Sequence, residues 1–120
     1  MGAFKILVVE DEPDILHLIS VFLRRRGHSV ISAASGAEGV WLMHSESPHL
    51  LLTDKRLPDC LGYDLIELSK QLQANTTRMK SLLITGDDSE SVVSEGGRPD
   101  GILLKPFGLR ELGIAVDSLL

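Results

Sequence analysis

The sequence predicts an α/β fold, a doubly wound parallel sheet of (βα)5 type with five strands and helices on both faces. Three observations point to it. Four short runs are almost purely aliphatic: Ile6-Leu7-Val8-Val9, Leu50-Leu51-Leu52, Leu82-Leu83-Ile84 and Ile102-Leu103-Leu104. Unbroken runs of this kind, without in-and-out alternation, suit strands covered on both faces. Longer stretches of helical period separate them, the pattern of parallel strands joined by crossover helices. The chain has 120 residues, 43% hydrophobic and 24% charged, the size and composition of one globular domain spanning residues 1–120.

The first strand, centred on Ile6–Val9, runs into Glu10-Asp11-Glu12. In the helix that follows, Pro13 stands where a first-turn proline is tolerated. Ile15, Ile19 and Phe22 recur at helical spacing, with Leu16 and Leu23 beside them, and Gly27 marks the stop. Arg24-Arg25-Arg26 in the last turn complement the negative end of the helix. The second strand is the weakest, centred on Val30 and Ile31 between His28 and Ala33. Ser35-Gly36-Ala37-Glu38 reads as a capping box opening a helix through Trp41 and Met43. Trp41 is expected to be half-buried packing.

The third strand continues through Thr53 into Asp54, and Leu65, Leu68 and Leu72 give the next helix. The fourth strand ends at Thr85 and the fifth at Lys105. Between them the helical candidate, Asp88 to Glu95, is short and poor: it holds Val92 and Val93 and ends in Gly96-Gly97. Leu112, Val116 and Leu119 form the last helix.

Several function classes drop out on composition. The net charge of −5 argues against direct contact with nucleic acid, which needs a basic face. No apolar run exceeds four residues, so no membrane insertion is expected. A single cysteine, Cys60, precludes an internal disulfide and fits a reducing, cytoplasmic setting. His17, His28, His44 and His49 show no ligand spacing.

The strand ends carry the chemistry. Parallel strands place their carboxyl ends on one edge, where open α/β sheets bind ligands. Glu10, Asp11, Asp54, Thr85 and Lys105 should converge there although they are scattered along the sequence. Three crowded carboxylates repel one another unless a cation sits between them, and oxygen ligands without a Cys or His cluster favour Mg2+. Lys105 and Thr85 complement an anion, one by charge and one by hydrogen bond. The set looks like a phosphoryl-transfer site with Asp54 as nucleophile.

With these residues in order, the sequence resembles the receiver domain of two-component response regulators. The resemblance rests on Glu10-Asp11-Glu12-Pro13 after an aliphatic strand, Asp54 with Leu57-Pro58 and Gly62 after it, Thr85-Gly86, and Lys105-Pro106-Phe107. It covers the whole chain and implies the flavodoxin-like strand order 2-1-3-4-5 of CheY-like proteins. Residue by residue it implies that Asp54 is the phospho-acceptor. Asp11, and Glu10 through water, hold Mg2+ with Asp54 and the backbone carbonyl of Arg56. Thr85 is the hydroxyl that turns toward the phosphoryl group, and Lys105 pairs with a phosphate oxygen. The Lys105-Pro106 bond matches one that is usually cis.

The implied activity is that of a phospho-accepting signalling domain, not an enzyme in the ordinary sense, with self-catalysed phosphotransfer and slow autodephosphorylation. The implied partners are a sensor histidine kinase or histidine phosphotransfer protein and a downstream effector or output domain, with a phosphorylation-dependent homodimer as a further one. The chain is read as a stand-alone receiver or a piece of a larger regulator or hybrid kinase.

Three departures from the family pattern set expectations, the first being the basic residues flanking Asp54, Lys55 and Arg56, with Asp87 two after Thr85. Ile102 stands where an aromatic residue is common, and the Thr85–Lys105 interval is short. Activation is therefore expected to be read through the Thr85 loop and a mobile segment from Asp87 to Asp100. Arg56 and Asp87 are expected to face each other across the mouth of the site. The competing readings are an unphosphorylated receiver-like interaction module and an enzyme of related topology. A flavin carrier would need a Ser/Thr/Gly phosphate loop in place of Glu10-Asp11-Glu12. A haloacid-dehalogenase-type phosphatase would need an Asp in place of Arg56.

Overall fold

The aliphatic runs form the middle of a parallel sheet. A computed structural model of the chain describes residues 4–72, 79–86 and 97–120. Its strands are β1 (Lys5–Val9), β2 (Ser29–Ala33), β3 (Leu50–Asp54), β4 (Lys80–Thr85) and β5 (Gly101–Leu104). They pair in the order β2-β1-β3-β4-β5, every pair parallel. The described helices are α1 (Pro13–Arg25), α2 (Gly36–Glu46), α3 (Gly62–Gln71) and α4 (Leu109–Leu119). The helix expected between Asp88 and Glu95 lies outside the described residues.

The pleat sorts side chains into two cores. Ile6, Val8, Leu50, Leu52, Leu82, Ile84 and Leu103 point to one face, against Ile19 and Leu23 of α1 and Leu112 and Val116 of α4. Leu7, Val9, Leu51 and Leu83 point to the other, against Met43 of α2 and Leu65 and Ile66 of α3. Truncating one of these fully buried leucines to alanine costs about 2–5 kcal/mol, so each core anchors the strand ends that carry the site.

Local signals explain the boundaries. Pro13 opens α1, and Gly27, at φ 94°, takes the left-handed conformation that ends it. Ser35 Oγ accepts the Glu38 amide, 3.2 Å, and Glu38 Oε1 accepts from the Ala34 amide, 2.9 Å. The box therefore closes one residue earlier than the standard motif. Of the three arginines, Arg24 donates to the Val30 carbonyl at 3.3 Å. Arg26 lies over the Phe22 ring and ion-pairs with Asp117, joining α1 to α4.

Two expectations are corrected. The fifth strand is not covered on both faces. Leu103 is buried, but Ile102 and Leu104 are 54% and 44% exposed, because β5 is an edge strand and, among the described helices, only α4 packs against it appreciably. Trp41 is 67% exposed, not half buried; Val40 and Met43 supply the inward contacts of α2. Two histidines, His28 and His49, also tie down the N-terminal strand. Their Nδ1 atoms accept the backbone amides of Phe4 and Lys5 at 3.4 and 2.9 Å. Among the described residues no helix is long and apolar enough to cross a membrane.

Candidate functional site

The carboxyl ends of β1, β3, β4 and β5 meet at one edge of the sheet. β1 delivers Glu10, whose amide donates to the Ala33 carbonyl at 3.0 Å. β3 ends in Asp54, 8% exposed. Glu10, Asp11 and Asp54 each bring a carboxylate oxygen within 4.8 Å of the other two. Lys105, just past β5, lies across this cluster, with its Nζ 2.8 Å from Asp54 Oδ1. The Lys105 amide donates to the Thr85 carbonyl at 2.8 Å, and the Lys55 amide to the Ile84 carbonyl at 2.8 Å, so the backbone ladder extends into the site. Asp54, Lys55, Arg56, Thr85, Gly86 and Lys105 line an open cleft of about 290 Å3.

Glycine at position 62 is a steric requirement of this edge. A Cβ there would stand 2.3 Å from the Asp54 carbonyl oxygen, and the Gly62 amide donates to the Lys55 carbonyl at 2.7 Å. The start of α3 is thereby pressed against the end of β3.

The electrostatics are uneven. Glu10 is only 1% exposed, and burial pushes its carboxyl up to about 7. The Glu12 amide partly offsets this, while the charge of Asp54 adds to it. Glu10 Oε2 accepts the Glu12 amide at 3.1 Å, but among the described residues the buried Oε1 has no hydrogen-bond partner. For Lys105, burial alone would depress the ammonium, but the hydrogen bond and charge of Asp54, with Glu10 and Glu12, outweigh it and hold the group above its ordinary value.

The donor set fits a hard divalent cation. It offers carboxylate oxygens from three residues, and among the described residues the buried Glu10 Oε1 lacks the partner that buried polar atoms normally find.

The structure brings together Glu10, Asp11, Asp54 and Lys105, and sets Thr85 and Arg56 in the wall of the same cleft. Asp87, expected opposite Arg56, lies outside the described residues, as does most of the segment expected to be mobile. One residue of the neighbourhood went unnoticed in the sequence. Asp59, exposed in the loop after β3, accepts the amides of Gly36 and Ala37 at 2.8 and 2.9 Å. Those amides hold its carboxyl below the usual carboxylate range. Its partners lie on a different helix, so no local spacing announces the contact; the only signal was an acidic residue after proline in a loop.

The fold and the acidic edge define a class that known proteins share. Residues 6–117 match the family model for the response regulator receiver domain, and the chain belongs to that family. It is 36% identical over 118 residues to the alkaline phosphatase synthesis transcriptional regulatory protein PhoP of Bacillus subtilis, covering 97% of this chain and 48% of that protein. The chain thus spans about half the length of this curated relative. Among solved structures it is similar to the response regulator protein TrrA of Thermotoga maritima in complex with Mg2+-BeF. The TM-score is 0.85 at 26% identity, covering 98% of this chain and 99% of that one. The receiver domain of the sensor histidine kinase PA1611 of Pseudomonas aeruginosa, with a magnesium ion in its active-site cleft, gives a TM-score of 0.82 at 26% identity. It covers 98% of each chain.

Proposed function

We propose that this receiver accepts a phosphoryl group on Asp54 from a sensor histidine kinase or a histidine phosphotransfer protein. The observation that carries the reading is the convergence on Asp54 of one ammonium, at 2.8 Å, and two further carboxylates whose oxygens lie within 4.8 Å. A carboxylate so placed is a nucleophile with its counter-charge already positioned. An oxygen of Asp54 attacks phosphorus, the bond from phosphorus to the donor imidazole nitrogen breaks, and the imidazole keeps that electron pair. The product is an acyl phosphate. Water later attacks the phosphorus and returns the carboxylate and inorganic phosphate.

Asp11, Asp54 and the Arg56 backbone carbonyl would hold Mg2+, with Glu10 reaching it through water. The ion supplies charge neutralisation for the incoming phosphoryl oxygens. Lys105 passes from Asp54 Oδ1 to a phosphoryl oxygen. Thr85, on the wall of the same cleft, donates its hydroxyl to another, which draws the β4 end inward and alters the adjoining surface. That change is read by an output domain, by a partner protein or by a second phosphorylated copy. The site works in the cytoplasm and touches no nucleic acid itself, in keeping with a net charge of −5.

Beryllofluoride titration tests this. Saturable binding to the wild-type chain that requires Mg2+ and vanishes in Asp54→Asn is the expected result. Binding of a partner by the chain with no response to Mg2+ and beryllofluoride would favour the unphosphorylated interaction module.

A further inference from the structure

The loop after β3, residues 55–61, is fastened to a helix that supplies no other group to the site. Leu57-Pro58-Asp59-Cys60 form a turn closed by the Leu57 amide on the Cys60 carbonyl, 3.0 Å, and Arg56 pairs with Leu61 in an antiparallel bridge. Leu57 is buried in the core beneath the loop. Asp59, at the tip, turns each of its two carboxylate oxygens to accept from one of two adjacent amides. Oδ1 accepts Gly36 N–H at 2.8 Å and Oδ2 accepts Ala37 N–H at 2.9 Å. These are the first two amides of α2; the third, of Glu38, is taken by Ser35 Oγ. The approach is close, since a Cβ on Gly36 would stand 2.3 Å from Cys60 Sγ and 3.1 Å from Asp59 Oδ1.

We propose that Asp59 is a positioning residue for the metal site: by clamping the loop tip to α2 it fixes the Arg56 carbonyl at the place where Mg2+ needs it. This rests on the Mg2+ reading above. Asp54 and Gly62 fix the two ends of the loop, Leu57 fixes its underside, and the Asp59 clamp fixes its outer turn. The Arg56 side chain is exposed and offers little anchorage of its own. Mg2+ demands near-octahedral ligands at about 2.0–2.1 Å, so a carbonyl free to drift by even a fraction of that distance binds it less well. Groups one step removed from a metal typically change its affinity about 10–100-fold when lost. The coupling is reciprocal: if the clamp favours the metal, the metal must favour the clamp.

Calorimetric titration of the chain with Mg2+ separates this role from simple support of α2. Asp59→Ala should weaken Mg2+ binding about tenfold. Ser35→Ala removes a cap from the same helix without touching the loop, and should lower thermal stability while leaving the Mg2+ dissociation constant within twofold. Asp59→Asn keeps one acceptor oxygen and should fall between wild type and Asp59→Ala; it also serves if the alanine variant does not fold. In the wild-type chain, saturating Mg2+ should slow hydrogen exchange at the Gly36 and Ala37 amides. Wild-type Mg2+ affinity in both folded Asp59 variants, equal losses in Ser35→Ala and Asp59→Ala, or exchange at Gly36 and Ala37 indifferent to Mg2+ would each overturn the role. Asp11→Asn keeps the two readings apart. If it abolishes Mg2+ binding while the Asp59 variants bind normally, only the clamp fails. If the wild-type chain binds no Mg2+, the metal site and the clamp fail together.

Discussion

Lys105 Nζ lies 2.8 Å from Asp54 Oδ1, so the ammonium is paired with one of the oxygens on which a phosphoryl group would be built. Both side chains are largely shielded, 28% and 11% exposed, which makes the contact stronger than a surface pair. Lys105→Met should leave the fold intact at a cost of about 1–2 kcal/mol, less than the loss of a fully buried partner. It should tighten Mg2+ binding, because a competing cation is gone, and weaken beryllofluoride binding at least tenfold. Urea unfolding and the two titrations on one variant check the opposed signs.

Glu10 makes the metal-free protein sensitive to pH. Its folded pKa of about 7 lies above the ordinary 4.5. Its contribution to stability is therefore fully present below 4.5 and is lost as pH rises through 7. Glu10→Gln should stabilise the metal-free chain at pH 8 by about 1–3 kcal/mol and flatten that slope. With Mg2+ present the ranking should reverse, since the charged carboxylate is then wanted. Denaturant unfolding between pH 4.5 and 8, with and without Mg2+, measures both.

His28 gives a slope of the opposite sign. Burial, followed by the charge of Arg26, lowers its pKa from 6.5, and its Nδ1 must stay unprotonated to accept the Phe4 amide. This contribution is complete above 6.5 and is lost as pH falls below it. In a Glu10→Gln background, His28→Asn should reduce the loss of stability on acidification below 6.5, because the amide oxygen can still accept from Phe4. An unchanged slope in that double variant would exclude His28 as its source.

Gly62→Ala should be among the most damaging single-methyl additions. The new Cβ would be 2.3 Å from the Asp54 carbonyl oxygen and 3.1 Å from Leu83 Cδ1, so β3 and α3 must part. The expected cost is about 1–3 kcal/mol or more, with beryllofluoride affinity falling alongside stability. Urea unfolding of Gly62→Ala beside the buried-core variant Leu51→Ala shows the difference: the second should lose stability without losing ligand affinity in the folded protein.

Much of this was legible in the chain because a parallel sheet writes itself as apolar runs with polar ends. Val9 before Glu10, Thr53 before Asp54, and Leu104 before Lys105 each mark where a strand leaves the core. The strand starts were less clear. Lys5 and Lys80 belong to strands only through their pairing with Ser29 and Leu50. An apolar run also does not say how many of its faces are covered, so the exposure of Ile102 and Leu104 had to come from the position of β5 at the sheet edge. The Asp59 clamp was illegible for a related reason: its partners, Gly36 and Ala37, sit on another helix, and only the packing of α2 beside α3 brings them within reach.

The assignment of Asp54 as the acceptor can be tested on the chain itself. The direct measurement is chemical trapping: incubate the wild-type chain with acetyl phosphate and Mg2+, reduce with borohydride, and sequence the peptides by mass spectrometry. An acyl phosphate on an aspartate is converted by this treatment to homoserine. Homoserine is expected at position 54 alone, absent without Mg2+ and absent in Asp54→Asn. Homoserine at Asp11 or elsewhere in the wild-type chain with position 54 intact would contradict it.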